Sequence, residues 1–233
     1  MAEADWTELD DALSSGSLSR GVTGGFVPPD GGGSFVYGWN SLDSTDGAHG
    51  LYVNLTDFAP MALGGSIRGC LKRAPGGGPL GFSAFFFFCL QGTSVEDEGY
   101  LLGLNDANPC RIELRKGSIA FGLPDVAPGG SGVLRRSSGS VAIDDWVHLR
   151  LDVISEENGD VRLQVFQNDL DAHPLGGAPT WEAIDGMAEF VDDALGVNSG
   201  SSPFTSGYAG FAFQTSEVTR RAQVDHVDVR RQT

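Results

Sequence analysis

Alternation of apolar and polar residues is clearest between Trp146 and Asn168. The run from Trp146 to Val153 alternates with period two, and so does the run from Val161 to Asn168. A polar segment with an Asn-Gly pair, Glu156 to Asp160, separates the two runs. This pattern predicts an antiparallel hairpin with one face against a core and the other toward solvent.

Shorter runs of the same kind predict an all-β chain of about a dozen strands. A second hairpin is predicted about Lys116 and Gly117, with Arg111, Glu113 and Arg115 on its solvent face. In the last strand the apolar phase slips by one residue, which predicts a β-bulge near Asp225 and His226. The other predicted strands are Ser34–Asn40, Leu51–Val53, Gly65–Arg73, Phe82–Gln91, Gly99–Leu104, Val133–Arg136, Gly207–Gln214 and Arg221–Val229.

The strand predicted at Phe82–Gln91 is apolar on both faces. Phe86 and Phe88 fall on one face, and Phe85 and Phe87 fall on the other. A strand of this kind is central in its sheet and covered on both sides. Two covers for the face of Phe85 and Phe87 are consistent with the sequence, another part of the same chain or an oligomer interface.

Helical spacing occurs at two places only. The run Asp5-Trp6-Thr7-Glu8 has the form of a capping box, and Trp6, Leu9 and Leu13 fall at i, i+3 and i+7, which predicts a short helix from about Trp6 to Leu13. A helix of this length is marginal alone, so Trp6 and Leu9 are expected to dock on the sandwich or on a neighbouring subunit. The segment from Asp169 to Leu195 is predicted as a long connection with a single helical turn.

The 233 residues show no internal repeat and no change of composition that would mark a linker. We predict an N-terminal helix and loop arm over residues 1–33 and one sandwich domain over residues 34–233. The acidic N-terminus does not have the form of a signal peptide, so we expect synthesis in the cytoplasm. The three cysteines are then expected to be buried thiols, and an intermolecular disulfide is the alternative.

Charge limits the expected partners. The chain has 31 acidic and 15 basic residues, a formal net charge of −16. Diffuse negative charge repels phosphate backbones, so a nucleic-acid partner is not expected. No apolar run approaches the ~20 residues that would cross a bilayer, and no membrane partner is expected.

The Trp-x-His-Leu-x-Leu run at Trp146–Leu151 resembles the tryptophan strand of concanavalin A-like and laminin-G-like jelly rolls. The segments Gly207–Phe211 and Val224–Val229 are similar to the closing strands of the same group. The resemblance covers roughly Ser34 to Arg231 and implies a two-sheet antiparallel jelly-roll sandwich preceded by the short N-terminal helix. The group includes lectins, calcium-dependent adhesion modules, glycoside hydrolases and virion proteins, so the resemblance indicates fold better than function.

Candidate chemistry is sparse. The Glu-x-Asp-x-x-Glu run of many hydrolases in this group does not occur, and we expect no catalytic residues. No cofactor is expected except calcium, whose weak candidate ligands are loop oxygens. Those candidates are Asp43 with Asp46, Asn105 with Asp106, and Asp192 with Asp193. Trp39 and Trp181 are weak candidates for contact with a glycan, and core packing is the preferred explanation for both.

The function predicted first is a non-catalytic structural or interaction protein. Such a subunit would assemble with copies of itself or with a larger particle, for example as a decoration, collar or tail component of a phage virion. Trp6, Leu9, Phe85 and Phe87 are the expected interface residues. The first alternative is a glycan-binding module, calcium-dependent or not, and the second is a glycoside hydrolase.

Overall fold

The protein is described here by a computed structural model. It describes residues 7–10, 17–20, 37–40, 47–53, 64–73, 82–92, 97–105, 109–118, 132–142, 145–173, 178–193, 202–215 and 221–231. Their strands are β1 (Thr7–Asp10), β2 (Ser17–Arg20), β3 (Tyr37–Asn40), β4 (Gly47–Val53), β5 (Gly65–Arg73), β6 (Phe82–Leu90), β7 (Glu98–Asn105), β8 (Ile112–Ser118), β9 (Val133–Arg136), β10 (Trp146–Ser155), β11 (Val161–Asn168), β12 (Trp181–Ala183), β13 (Phe190–Asp192), β14 (Tyr208–Thr215) and β15 (Arg221–Arg231).

These strands form two antiparallel sheets. Sheet A has the order β1-β4-β14-β6-β7-β8-β9, and sheet B has the order β12-β11-β10-β5-β15-β3-β2 with β13 also paired to β11. One apolar cluster fills the space between them, with side chains such as Phe86 and Leu102 from sheet A and Ile67 and Leu151 from sheet B. The predicted all-β, two-sheet antiparallel sandwich is therefore confirmed.

The predicted hairpin is present as β10 and β11. Its register runs from His148 opposite Asn168 to Ser155 opposite Val161. Gly159 in the turn has a φ of 92°, a conformation that glycine adopts without strain. The hairpin therefore brings the beginning of β10 and the end of β11 to the same end of the sandwich.

The phenylalanine strand β6 is central in sheet A, between β14 and β7. Phe86 and Phe88 pack in the core, whereas Phe85 and Phe87 lie on the opposite face and are also 0% exposed. Gly103 lies across from Phe85 on β7, where an added Cβ would be 2.3 Å from the Phe85 Cβ. All four side chains are buried by residues of one copy of the chain, so this chain itself covers both faces of β6.

The helix predicted from Trp6 to Leu13 is not formed at residues 7–10. Thr7–Asp10 is instead the edge strand β1, which pairs antiparallel with β4 from Thr7 opposite Tyr52 to Asp10 opposite His49. Two turns of helix are marginal in isolation, and a sheet edge satisfies the same backbone groups. Strand β2 also comes from the segment predicted as an arm, and it pairs with β3. Trp6 lies outside the described residues.

The hairpin predicted about Lys116 and Gly117 is wrong. Ile112–Ser118 is one strand, β8, which lies between β7 and β9. The predicted solvent face is also wrong, because Glu113 is 0% exposed and Arg115 is 3% exposed. Their charges are compensated locally, since Arg115 Nε donates to Glu113 Oε2 at 2.7 Å.

Among the described residues of Asp169–Leu195 no helix is present, although one backbone hydrogen bond of helical spacing, from the His173 N–H to the Asp169 carbonyl at 2.8 Å, closes a single turn at its start. This segment contributes two short strands, β12 and β13, and both pair with β11. Pairing with an existing strand edge fixes three-residue strands that have no periodicity of their own to predict them.

The predicted bulge is confirmed. The register of β15 against β5 shifts between Asp225 and Asp228, and His226 within the shift has a φ of 53°. The prediction of buried thiols is also confirmed, because Cys70, Cys89 and Cys110 are buried and form no disulfide. Among the described residues, no helix has the length and apolar character needed to cross a membrane.

Candidate functional site

A groove of about 840 Å³ opens at one end of the sandwich, where β10 begins and β11 ends. Its buried apolar lining comes from Ile112, Val147 and Ile184, which belong to or adjoin the core. Its rim comes from residues 137–142, from Asp145 and Trp146, and from the residues that follow β11 and β12. The volume is within the range of ~300–1,000 Å³ that is usual for small-molecule sites.

One hydrogen-bonded contact ties the two sheets together beside this groove. The Ser138 N–H donates to the Asp185 carbonyl at 3.3 Å, and the Ser138 hydroxyl donates to the Asp185 carboxylate. Ser138 follows β9 of sheet A, and Asp185 follows β12 of sheet B. The two walls are therefore held at a fixed separation.

The lining of the groove is acidic and hydroxyl-rich. Five exposed residues supply carboxylates, and none of the described lining residues is Lys or Arg. Trp146 is a half-buried aromatic in the same lining, with Lys72 Nζ 5.9 Å from its ring centroid. The carboxylates belong to Asp145, Asp169, Asp171, Glu182 and Asp185, and the hydroxyls belong to Ser137, Ser138 and Ser140.

Asn168 organises one wall of the groove. It is the last residue of β11, 1% exposed, and it faces His148 on β10 and Trp181 on β12. Its Oδ1 accepts the Thr180 N–H at 2.8 Å, and its Nδ2 donates to the His173 carbonyl at 2.9 Å. The same Nδ2 lies 3.3 Å from His148 Nδ1.

His148 is neutral at physiological pH. Burial, and then the positive charge of Arg68 and the neighbouring His226, together lower its pKa to about 4. A neutral ring with Nδ1 facing the Asn168 amide accepts at Nδ1 and carries its proton on Nε2. The Trp181 ring packs edge-on against it, with ring centroids 4.7 Å apart.

The outer face of sheet B is polar, but its charges are already paired. Arg150 Nε donates to Asp152 Oδ1 at 2.6 Å, and Arg68 Nε donates to Asp228 Oδ2 at 3.0 Å. The Arg150 guanidinium carbon also lies 5.9 Å from the Trp181 ring centroid. These groups satisfy one another, whereas the carboxylates of the groove have no basic neighbour in its lining.

The weak calcium candidates are not brought together in the described part of the chain. Asn105 is buried, with Nδ2 donating to Glu113 Oε1 at 2.8 Å, and Asp192 is buried 2.7 Å from Lys116 Nζ. Asp193 is exposed. Asp43, Asp46 and Asp106 lie outside the described residues. Within those residues, no group of three or more His, Cys, Asp or Glu side chains could hold a metal ion.

The other candidates lie in different places. Trp181 is half-buried against His148, and the Trp39 side chain is outside the described part although its backbone lies in β3. The backbone of Leu9 lies in β1, and Phe85 and Phe87 are enclosed by the chain itself. Assembly into an oligomer or a virion stays a prediction.

The groove was not predicted from the sequence. Its signal was present, because Asp145-Trp146 opens β10 and Asn168-Asp169 closes β11, and an antiparallel hairpin places these pairs at the same end. The contributions of Glu182 and Asp185 had no comparable signal, since β12 has no periodicity.

No protein-family model matches the chain, and no curated protein matches it. Solved structures do resemble it. A protein of unknown function from Shewanella oneidensis has a TM-score of 0.52 at 11% identity, covering 98% of this chain and 79% of that one. This likeness shows the fold.

Two sugar-binding structures are similar at slightly lower scores. The carbohydrate-binding module CBM66 from Bacillus subtilis has a TM-score of 0.49 at 11% identity, covering 97% of this chain and 95% of that one. The exoplasmic/lumenal domain of VIP36, in a form bound to Ca²⁺ and Man3GlcNAc, has a TM-score of 0.49 at 10% identity, covering 100% and 86%.

Proposed function

We propose that this protein is a non-catalytic glycan-binding module whose ligand lies in the groove at the Trp146 end of the sandwich. The observation that carries the proposal is the lining of that groove. It combines the half-buried residue Trp146 with residues that carry hydroxyls and carboxylates over a volume of about 840 Å³.

A sugar matches both parts of this lining. Its hydroxyls donate hydrogen bonds to carboxylate oxygens, which accept several at once, and charge-assisted bonds of this kind are the stronger ones. The less polar face of a pyranose ring packs on an aromatic face, the role we assign to Trp146. The apolar side chains of Ile112 and Ile184 extend this contact into the groove.

The charge of the groove narrows the ligand class. Five carboxylates and no Lys or Arg among the described lining residues disfavour uronates and sulfated sugars. Uncharged glycans and glycans with free amines are favoured. The net charge of −16 acts in the same direction at longer range.

Binding without hydrolysis is supported by where the carboxylates lie. The general acid of a glycosidase is usually a carboxyl group held in an apolar pocket. Asp145, Asp169, Asp171, Glu182 and Asp185 all belong to exposed residues. The groove therefore offers acceptors for hydroxyls rather than a shielded proton donor.

A glycan array, run with and without calcium, tests the proposal. The chain should bind uncharged or amine-bearing glycans, and Trp146→Ala and Glu182→Gln should each weaken binding by about fivefold or more, the effect of one lost contact. Glu98→Gln is the matched control, because Glu98 is an exposed carboxylate at the start of β7, away from the groove. A blank array in both conditions, or equal loss in the control, would refute it.

A further inference from the structure

The connection between β11 and β12 forms the acidic wall of the groove, and both of its described ends meet at one side chain. The chain leaves β11 through Asp169–His173 and returns at Thr180 before β12. Asn168 donates to the carbonyl at the departing end, that of His173, and accepts from the N–H at the returning end, that of Thr180. Asp169, Asp171 and Glu182 lie on this wall.

The first part of the connection has its own internal order. Asp169 Oδ1 accepts the backbone N–H of Asp171 at 2.9 Å and of Ala172 at 3.3 Å, and the His173 N–H donates to the Asp169 carbonyl at 2.8 Å. These bonds make Asp169–His173 a compact turn. They do not connect that turn to β12, whereas the Asn168 side chain does.

The Asn168 amide has little freedom to rotate. Its oxygen has one donor partner, and its two N–H groups face two different acceptors, the His173 carbonyl and His148 Nδ1. Reversing the amide would place the NH₂ group against the Thr180 N–H and the oxygen against two acceptors. A buried amide satisfied on both sides therefore has one favourable orientation.

We propose that Asn168 is a positioning residue, whose amide fixes the wall carrying Asp169, Asp171 and Glu182 through bonds to His173, Thr180 and His148. The identity of the ligand depends on the glycan-binding function proposed above, whereas the hydrogen bonds of Asn168 are independent of that function. In this role Asn168 does not need to contact the ligand itself, because it acts by holding in place the carboxylates that do.

Two variants separate its donor and acceptor roles. Asn168→Asp keeps an oxygen for the Thr180 N–H and loses the donor to His173 and His148, whereas Asn168→Ala loses all three bonds. The Thr180 amide should therefore keep its protection from exchange in Asn168→Asp. In Asn168→Ala its protection factor should fall about tenfold, which corresponds to the loss of about one net hydrogen bond. Glycan affinity should fall about tenfold in both, because both release the His173 end.

His148 supplies a spectroscopic signature that a general loss of stability would not produce. A carboxylate at position 168 would face the Nδ1 lone pair, and the two acceptors are reconciled when the ring takes up a proton. Arg68 and Cys70 on β5, Asp225 and His226 on β15 and Arg150 on β10 are the other ionisable groups around this ring. They are unchanged in the variant, so a change in the titration of His148 reports on residue 168.

The experiment is an NMR titration of the histidine rings with amide exchange and glycan binding on the same samples. In Asn168→Asp, the His148 ring should take up its proton at least about one pH unit higher than in the unaltered protein. Asn158→Asp is the matched control, since Asn158 is an exposed amide in the β10–β11 turn.

Each outcome has a separate meaning. An unchanged His148 titration, or an unchanged Thr180 exchange rate in Asn168→Ala, would refute the hydrogen-bond arrangement. The expected NMR changes with unaltered glycan affinity would refute the positioning role and leave glycan binding intact. The expected NMR changes in a protein that binds no glycan would refute the proposed function and confine Asn168 to the geometry of the wall.

Discussion

Lys116 Nζ lies 2.7 Å from Asp192 Oδ2, and this buried ion pair joins the two sheets. Lys116 belongs to β8 in sheet A, and Asp192 belongs to β13 in sheet B. The Tyr100 hydroxyl donates to the same Asp192 oxygen at 2.7 Å and accepts the Phe204 N–H at 3.0 Å. Burial, and then the Asp192 carboxylate, raise the pKa of Tyr100 well above its usual range.

Replacing Lys116 should therefore be costly. Lys116→Met leaves Asp192 buried without its cation, which should reduce the free energy of unfolding by ~3–5 kcal/mol. Chemical denaturation measures this change. The control is Lys72→Met, the other lysine of the chain, whose half-buried side chain lies over Trp146 and should cost less than ~1 kcal/mol. Equal losses in the two variants would contradict the role given to the pair.

Phe85 tests whether the second face of β6 belongs to the fold or to an interface. It is 0% exposed within a single chain, so Phe85→Ala should reduce stability by ~3–5 kcal/mol. The melting temperature should not depend on protein concentration, as it would if a second copy supplied the cover. Val191→Ala, at a side chain 43% exposed, should change stability by less than ~0.5 kcal/mol. Light scattering on the same samples tests the predicted assembly directly.

The bulge in β15 predicts a larger loss of stability for one substitution than for another at the same position. His226 has a φ of 53°, where a β-branched side chain is strained and glycine is not. His226→Val should therefore destabilise the protein by ~1–2 kcal/mol, and His226→Gly should lie within ~1 kcal/mol of the unaltered protein. Thermal unfolding compares them. If His226→Gly were the more destabilising of the two, backbone strain at this position would not decide the stability of the variants, and loss of the contact between His226 Nδ1 and Asp225 Oδ2, 3.0 Å apart, would not account for the difference because both variants lack it.

His148 predicts a loss of stability in mild acid. Its pKa in the folded protein is lowered to about 4 from the ordinary histidine value of 6.5, so the unfolded chain binds more protons between these values. The free energy of unfolding should therefore decrease as the pH is lowered through this window. The contribution of His148 to this decrease is about 2 kcal/mol between about pH 7.5 and pH 5. Urea unfolding at the two pH values measures it, and His148→Gln should remove this part. An unchanged difference in His148→Gln would show that other groups produce it.

Much of the fold was predictable because it is local in the sequence. The β10–β11 hairpin, its Asn-Gly turn, the two-faced strand β6 and the bulge at His226 each follow from side-chain alternation and its interruptions. The confirmed parts share one property, a period-two pattern long enough to specify which face is buried.

The errors arose where distant residues decide the outcome. Lys116-Gly117 has the composition of a turn. The structure instead buries Lys116 in an ion pair with Asp192 and pairs it with Tyr100 of β7, so β8 continues through both residues. The capping-box sequence at residues 5–8 predicts a helix there, yet residues 7–10 form a strand that pairs with the edge of β4. Local propensities of this kind are weak compared with an available partner.

The sequence by itself determined the all-β sandwich, the buried thiols and the burial of strand β6 on both faces, because the hydrophobic pattern of a strand reflects which of its faces are buried. Only the tertiary structure placed Trp146, Asp145 and Asn168 beside Glu182 and Asp185 in one groove. These residues come from separate segments, and their side chains acquire a common environment only after β11 and β12 pair. Residue spacing along the chain does not record that proximity, because strand pairing creates it.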